Sequence, residues 1–327
     1  MSEVINGYAL IEPFQNQNAG FSRWTFAKKD GRVYFLKEFM DPIYPEDHTL
    51  SPTLRDRRIE DCRMFAEKKR RIYNAINACS DGNAVRISEF FRCNSRYYIS
   101  NERICGENVS FEQLMRLPMM SRILLCRSVA HTIMRMHEMH IVHSDIKDTN
   151  VLLKRTASGQ LVGKLIDFDC SFFENEPPEN EEELGGDQVY LAPEACLFMC
   201  SEAAELTCAL DVFSLGILFH QYLTGMLPVF DRNEYDYAHE AILDNQEIYV
   251  SDHLPDALGE MLHRMLARDP KKRISMREVY EILGTFLGVP YIEERPIKQP
   301  EIPGYDNKTT GGGLHIPKEF FKNAGEL

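Results

Sequence analysis

Residues 143 to 150 read His-Ser-Asp-Ile-Lys-Asp-Thr-Asn, and Asp167-Phe168-Asp169 begins seventeen residues after Asn150. These residue types suit one chemistry. Moving a phosphoryl group between oxygens needs a carboxylate that takes or orients the attacking hydroxyl, a cation that neutralises the group in flight, and oxygen ligands for a divalent metal. Asp145 answers the first need and Lys147 the second. Asn150 and Asp167 answer the third, because Mg²⁺ takes oxygen ligands completed by phosphate and water. No covalent intermediate on the protein is required, so a site of this kind works through position and charge.

Regular elements must hold such groups in place. Strand-like alternation runs over Arg32 to Phe39 and recurs near Ala84 to Ile87 and at Tyr97 to Ile99, with a helical stretch over about 54 to 78 between them. From about 121 the period turns helical, with Ile123, Leu124, Val129, Ile133, Met134 and Met136 at three- and four-residue intervals. Further helical patterns lie near 211–224, 255–267 and 275–286. The sequence therefore predicts an α+β chain in which a small, strand-rich lobe precedes a larger helical one. After Gly288 the composition shifts: five of the sixteen Pro and the run Gly311-Gly312-Gly313 fall in the last forty residues, which predicts an extended tail. The segment Glu174 to Glu183 carries six Glu and Pro177-Pro178 and reads as a solvated loop.

Composition narrows the class. The chain has 327 residues, of which 44% are apolar, enough to fill the cores of one large two-lobed domain or two ordinary ones. No apolar run approaches the roughly 18 to 20 residues of a membrane span, and the N-terminus lacks a basic segment followed by an apolar one, so a cytoplasmic chain is expected. Nine Cys without a CxxC or Cys/His cluster suggest reduced thiols rather than a disulfide framework or a zinc site. His137, His140 and His143 invite a metal reading, but no Cys or carboxylate with suitable spacing supports it. A net charge of -13 argues against broad nucleic-acid binding; it reads first as surface acids that serve solubility, with attraction of basic partners as the alternative.

The spacing of Asp145, Lys147 and Asn150, followed by Asp167, resembles the catalytic loop and metal-binding Asp-Phe-Gly element of the eukaryotic-type protein kinase family. The resemblance covers roughly residues 10 to 285, and its motifs arrive in the family's order. Lys37, in Tyr-Phe-Leu-Lys, resembles the strand Lys that pairs with the α and β phosphates. Ala192-Pro193-Glu194 resembles the element that closes the activation segment, Asp211 to Gly216 the start of the long central helix, and Arg273 the Arg that pairs with that Glu. The resemblance implies a bilobal protein-kinase-like fold: an N-lobe at 1–103 with one main helix, a helical C-lobe at 104–287, and a Pro/Gly-rich tail at 288–327 that is a candidate to dock on a partner or on the lobes. It further implies ATP and Mg²⁺ between the lobes, with Asp145 and Lys147 catalytic and Asn150 and Asp167 on the metal. Lys147 matches the Ser/Thr-type loop, so the acceptor expected is a Ser or Thr hydroxyl of a protein substrate, with no nucleic acid or membrane partner.

The resemblance frays in the first lobe. In Gln17 to Trp24 the family glycines of the phosphate-covering loop fall on Gln17, Ala19 and Ser22, and Gly20 sits at a variable position. Trp24 replaces a Val and Phe35 an Ala in the roof of the adenine pocket; two rings there either stack on a base or fill the pocket, and stacking is the preferred reading. Gly20, Trp24 and Ala27 join Lys37 as the expected nucleotide contacts. The helix Glu that pairs with Lys37 is read as Glu67, with Glu60 in reserve, although the apolar spacing that follows would place the site on Lys69. Ser100 is read as the residue behind the base. In the second lobe Asp169 replaces the Gly of Asp-Phe-Gly, Ser144 replaces an Arg that pairs with a phosphorylated loop, and Asp187 replaces a Thr. Between Asp167 and Glu194 the only hydroxyl side chains are Ser171 and Tyr190, so control by phosphorylation of that segment is not expected. The six Glu of 174–183 either supply fixed charge that draws basic substrates or form a plain acidic loop. Two other functions stay open: a pseudokinase or scaffold that binds nucleotide without turnover, and a kinase-fold enzyme with a non-protein acceptor or nucleotidyl transfer.

Overall fold

The computed structural model of the chain describes residues 3–16, 22–46, 50–80, 82–104, 107–155, 159 and 161–289. It divides into two compact units, one formed by Met1–Asn77 and Val85–Cys105, the other by Ala78–Ala84 and Gly106–Leu327.

In the first unit, alternation of apolar and polar residues builds six antiparallel strands: β1 (Val4–Ile5), β2 (Tyr8–Leu10), β3 (Ser22–Lys29), β4 (Arg32–Phe39), β5 (Ile87–Cys93) and β6 (Arg96–Glu102), in the order β1-β2-β3-β4-β6-β5. Asp30-Gly31 joins β3 to β4 with both residues at positive φ, 50° and 81°, the twist a two-residue hairpin requires. That turn sets the register Trp24↔Lys37 and Phe26↔Phe35, so these four side chains share one face. Thr25, Ala27, Tyr34 and Leu36 share the other. There Ile5, Tyr8, Ala27, Leu36 and Tyr98 pack into a core. The helix α1 (Pro52–Cys79) buries Cys62, Ala66, Ile72, Tyr73, Ile76 and Cys79 at helical intervals. Its Phe65 and Tyr73 meet Phe39, Phe90 and Tyr97 on the sheet face that carries Lys37.

The second unit holds two small sheets. One is β7 (Glu107–Asn108), β9 (Val151–Arg155) and β10 (Leu161–Leu165), in the order β10-β9-β7; the other pairs β8 (Ile141–Val142) with β11 (Phe172–Phe173). Its helices are α2 (Phe111–Met115), α3 (Met119–His137), α4 (Pro193–Met199), α5 (Ala209–Thr224), α6 (Ala238–Leu243), α7 (Asp256–Met265) and α8 (Met276–Phe286). Helix α5 is buried without interruption from Leu210 to His220 and is apolar there except for Asp211, Ser214 and His220, each of which has a hydrogen-bond partner. Among the described residues no helix is long and apolar enough to cross a membrane.

The expected strand at 84–87 is corrected. Ala84 makes a single parallel bridge to Leu165, and β5 starts only at Ile87. The polar side chain of Asn77 fixes that start, its Nδ2 donating to the Ile87 carbonyl at 2.8 Å and its Oδ1 accepting from the Ile87 N–H at 2.9 Å.

Candidate functional site

The loop that leaves β8 carries the chemistry. Ser144 takes φ 73°, a turn that an outside group must hold in place. Asp211, in the first turn of α5, does so: its Oδ2 accepts from the His143 N–H at 2.8 Å and its Oδ1 from the Ser144 N–H at 2.9 Å. His137 places Nε2 3.0 Å from Asp211 Oδ2. The buried His143 ring lies 3.2 Å from the Ile166 carbonyl through Nε2 and accepts the Asp145 N–H through Nδ1, which is the Nε2–H tautomer. It also packs edge-on against Phe168, the aromatic residue between Asp167 and Asp169.

Asp145 is thereby fixed at both ends. Lys147 Nζ donates to its two carboxylate oxygens at 3.0 and 2.9 Å, and Asn150 Nδ2 donates to its carbonyl at 2.8 Å and its Oδ2 at 2.9 Å. Burial is the largest single influence and works against the charge of Lys147, but the hydrogen bond it donates to Asp145 and the charges of Asp145, Asp187 and Asp167 together outweigh it and raise the ammonium pKa. The lysine therefore stays charged. Asn150, turning through Asp148–Asn150, commits its amide N–H₂ to Asp145, which leaves its Oδ1 as an oxygen donor. The Ile166 N–H donates to the Asn150 carbonyl at 3.0 Å, and Asp167 follows at φ 61°. An amide oxygen and a carboxylate tied by neighbouring backbone are hard donors that fit Mg²⁺.

The segment from Asp167 to Glu194 is anchored along its length. Ser171 is buried and its hydroxyl donates to the His143 carbonyl; Tyr190 is buried and donates to Gln221 at 2.9 Å. Gly185 lies against the catalytic loop: a Cβ there would overlap Cys170 Sγ and stand 3.5 Å from Asp145 Cβ. Asp187 caps the turn to Tyr190 through the Val189 N–H. The segment ends on a buried ion pair, Arg273 to both oxygens of Glu194 at 2.5 and 2.8 Å, with the guanidinium also on the Ala267 and Ala209 carbonyls.

The reading of 174–183 as solvated throughout is corrected at its start. Glu174 Oε2 meets His140 Nδ1 at 2.9 Å and its Oε1 accepts the Cys208 N–H at 2.9 Å. The His140 hydrogen bond dominates, and with the Cys208 N–H it holds the carboxyl down to about 2 against the opposing effect of burial. The sequence hid this because one Glu in a run of six carries no mark of its partner. Glu179, Glu181 and Glu183 are exposed. The three histidines each have a separate protein partner: Asp211 for His137, Glu174 for His140, Ile166 for His143.

In the first unit Lys37 is buried on β4, opposite Ile99, and Trp24 stacks on Phe35 with ring centroids 5.5 Å apart. Phe26, which sequence reasoning passed over, completes a three-ring surface edge-on to both. Three expectations are corrected here. Ala27 lies on the opposite face, inside the core with Leu36 and Tyr98, because strand alternation turns it away from Trp24. Glu67 and Glu60 are exposed and share Arg63; the helical period puts Lys69, not Glu67, on the stripe that packs against Phe39 and Phe65. Ser100 pairs with Leu36 on the far face and bonds Tyr8 at 2.8 Å, so the inward position opposite Phe35 belongs to Asn101. Gly20, with Gln17 and Ala19, lies outside the described residues.

The protein kinase domain model matches residues 54–282, more than half of the chain. The chain belongs to the protein kinase family. It is similar to calcium-dependent protein kinase 27 of Arabidopsis thaliana, 26% identical over 313 residues that are 92% of this chain and 58% of that protein. It is likewise similar to an Aurora kinase of Schizosaccharomyces pombe, 26% identical over 77% of this chain and 66% of that one. The chain thus spans less than two thirds of either relative's length. Among solved structures, the Cydia pomonella granulovirus kinase PK-1 shares the kinase fold at a TM-score of 0.58 and 17% identity, covering 86% of this chain and 95% of that one.

Proposed function

We propose that this chain transfers the γ-phosphoryl group of ATP to a Ser or Thr hydroxyl of a protein substrate, with Mg²⁺ as cofactor. The observation that carries the reading is the clamped Asp145, whose carboxylate is held by Lys147 and Asn150 and whose loop is held by Asp211. A carboxylate so placed orients the acceptor hydroxyl and takes its proton, while Lys147 turns from Asp145 to the phosphoryl oxygens as negative charge builds there. Asn150 Oδ1 and Asp167 would hold Mg²⁺, which supplies charge neutralisation to the phosphates when bound. Lys37 would hold the α and β phosphates, and Trp24, Phe26 and Phe35 offer the base an aromatic surface.

The buried hydroxyls of Ser171 and Tyr190 support activity that does not depend on phosphorylation of the 167–194 segment. The exposed Glu179, Glu181 and Glu183 run into Gly185 beside Asp145, which supports a basic acceptor protein. A second reading, nucleotide binding without turnover, is favoured by one observation: Glu67 and Glu60, the carboxylates read from the sequence as partners of Lys37, are exposed and paired with Arg63. Intact-mass analysis with ATP, Mg²⁺ and a basic test protein, run beside Asp145→Asn, decides between them. We expect phosphate on the acceptor and a roughly 100- to 10,000-fold slower transfer in the variant; bound ATP with no transfer by either protein establishes the second reading.

A further inference from the structure

The ladder between β8 and β11 pairs Phe172 with Val142 and Phe173 with Ile141. Its next rung is Glu174 against His140, and the Glu174 N–H donates to the His140 carbonyl at 2.8 Å. Side chains on one rung stand side by side, and His140 turns through φ 53° as it enters the strand. The result is the Glu174 carboxylate on His140 Nδ1 at 2.9 Å, with its other oxygen on the backbone N–H of Cys208. Cys208 is the residue from which α5 starts. A helix start presents unpaired N–H groups and favours negative charge.

Two carboxylates therefore meet the N-terminal end of α5 from opposite directions. Asp211 reaches out of the helix to the His143 and Ser144 N–H groups. Glu174 reaches from the segment to the helix and to His140, three residues ahead of that loop. Further along, the closeness of Gly185 to Cys170 and Asp145 pins the part of the segment beside the reacting carboxylate. Ser144 brings no positive charge, and Ser171 and Tyr190 already spend their hydroxyls on protein partners. A fixed carboxylate makes the connection instead.

We propose that Glu174 is a positioning residue for phosphoryl transfer: its carboxylate ties the 167–194 segment to the catalytic loop through His140 and to α5 through Cys208, taking the place of a phosphate group on that segment. The inference rests on the phosphotransfer reading given above. It makes the kinase permanently assembled on this side and gives Glu174 no contact with substrate.

The test compares the full chain with Glu174→Ala, Glu174→Gln, Glu174→Asp, His140→Ala and the double variant His140→Ala/Glu174→Ala, each treated with phosphatase. ATP and a basic acceptor protein are varied separately, and backbone hydrogen exchange is followed over 170–176 and at Cys208. We expect Glu174→Ala, Glu174→Gln and His140→Ala each to lower kcat/KM for the acceptor about tenfold or more, with KM for ATP within about twofold of wild type. The double variant should be no worse than either single one, because both remove the same link. Glu174→Asp should recover part of the activity, exchange should quicken in Glu174→Ala, and the dephosphorylated wild type should keep its activity. Wild-type activity in Glu174→Ala, additive losses, or an equal effect on KM for ATP would overturn the positioning role while leaving the kinase reading intact. An inactive wild type would count against the kinase reading alone, and exchange would then decide: unchanged amides in Glu174→Ala would remove the clasp as well.

Discussion

At the scale of residues, the second unit's chemistry was legible because each group there answers a need that residue type and spacing express directly. Asp145, Lys147, Asn150 and Asp167 fall within a short stretch, and local turns bring the first three together. Glu174 and Asp211 were not legible as positioning groups, since their partners lie 34 and 67 to 68 residues away and nothing local marks them. Ala27, Glu67 and Ser100 failed for a different reason. Each depends on a phase, of strand or helix, and an error of one residue in phase reverses a strand face and turns a helical side chain by about 100°. Trp24 makes the stacking reading directly testable, because it is the chain's single tryptophan. Intrinsic fluorescence should change on ATP addition, and Trp24→Ala should weaken ATP binding by about 1–3 kcal/mol, the worth of one base on an aromatic ring. Unchanged fluorescence with intact ATP binding would show that the three rings pack on one another and leave the base elsewhere.

At the scale of elements, long periodic segments read well and short ones did not. Helices α3, α5, α7 and α8 follow their apolar periods, whereas α4 and α6 have seven and six residues, too few for a period to show. What holds α4 is an ion pair: Arg273 is fully buried and Glu194 nearly so, and the guanidinium also satisfies the Ala209 carbonyl at the start of α5. Such a pair adds little over an apolar replacement, yet breaking it leaves a bare charge in the interior. Arg273→Met and Glu194→Gln should each cost roughly 3–5 kcal/mol in urea unfolding, with Arg273→Met the worse because the orphan is a full carboxylate. Glu194→Leu with Arg273→Met should cost less than either single change. A double variant as unstable as the sum of the two would mean that the pair's hydrogen bonds to backbone, rather than its charges, govern the site.

At the scale of the molecule, the order of the elements was legible, and the division into two units falls within a helix where composition gives no signal: Ala78 and Cys79, the last residues of α1, already belong to the second unit, as does Ala84, which bridges to Leu165 of β10. The proposed function gives Lys37 to the phosphates and Asn150 and Asp167 to the metal. A ligand that binds the folded state stabilises it by RT ln(1 + [L]/Kd), about 2.7 kcal/mol at a hundredfold excess over Kd. Mg²⁺–ATP should therefore raise the thermal midpoint of the wild type and of Asp145→Asn alike, since Asp145 serves the acceptor and not the nucleotide. Lys37→Met should lose most of the shift without Mg²⁺ or with it. Asp167→Asn should lose only the part that Mg²⁺ adds, because an amide oxygen is a weaker ligand than a carboxylate. A shift that survives Lys37→Met would show that the buried lysine of β4 is a core residue, and with it would go the assignment of the first unit to the phosphates.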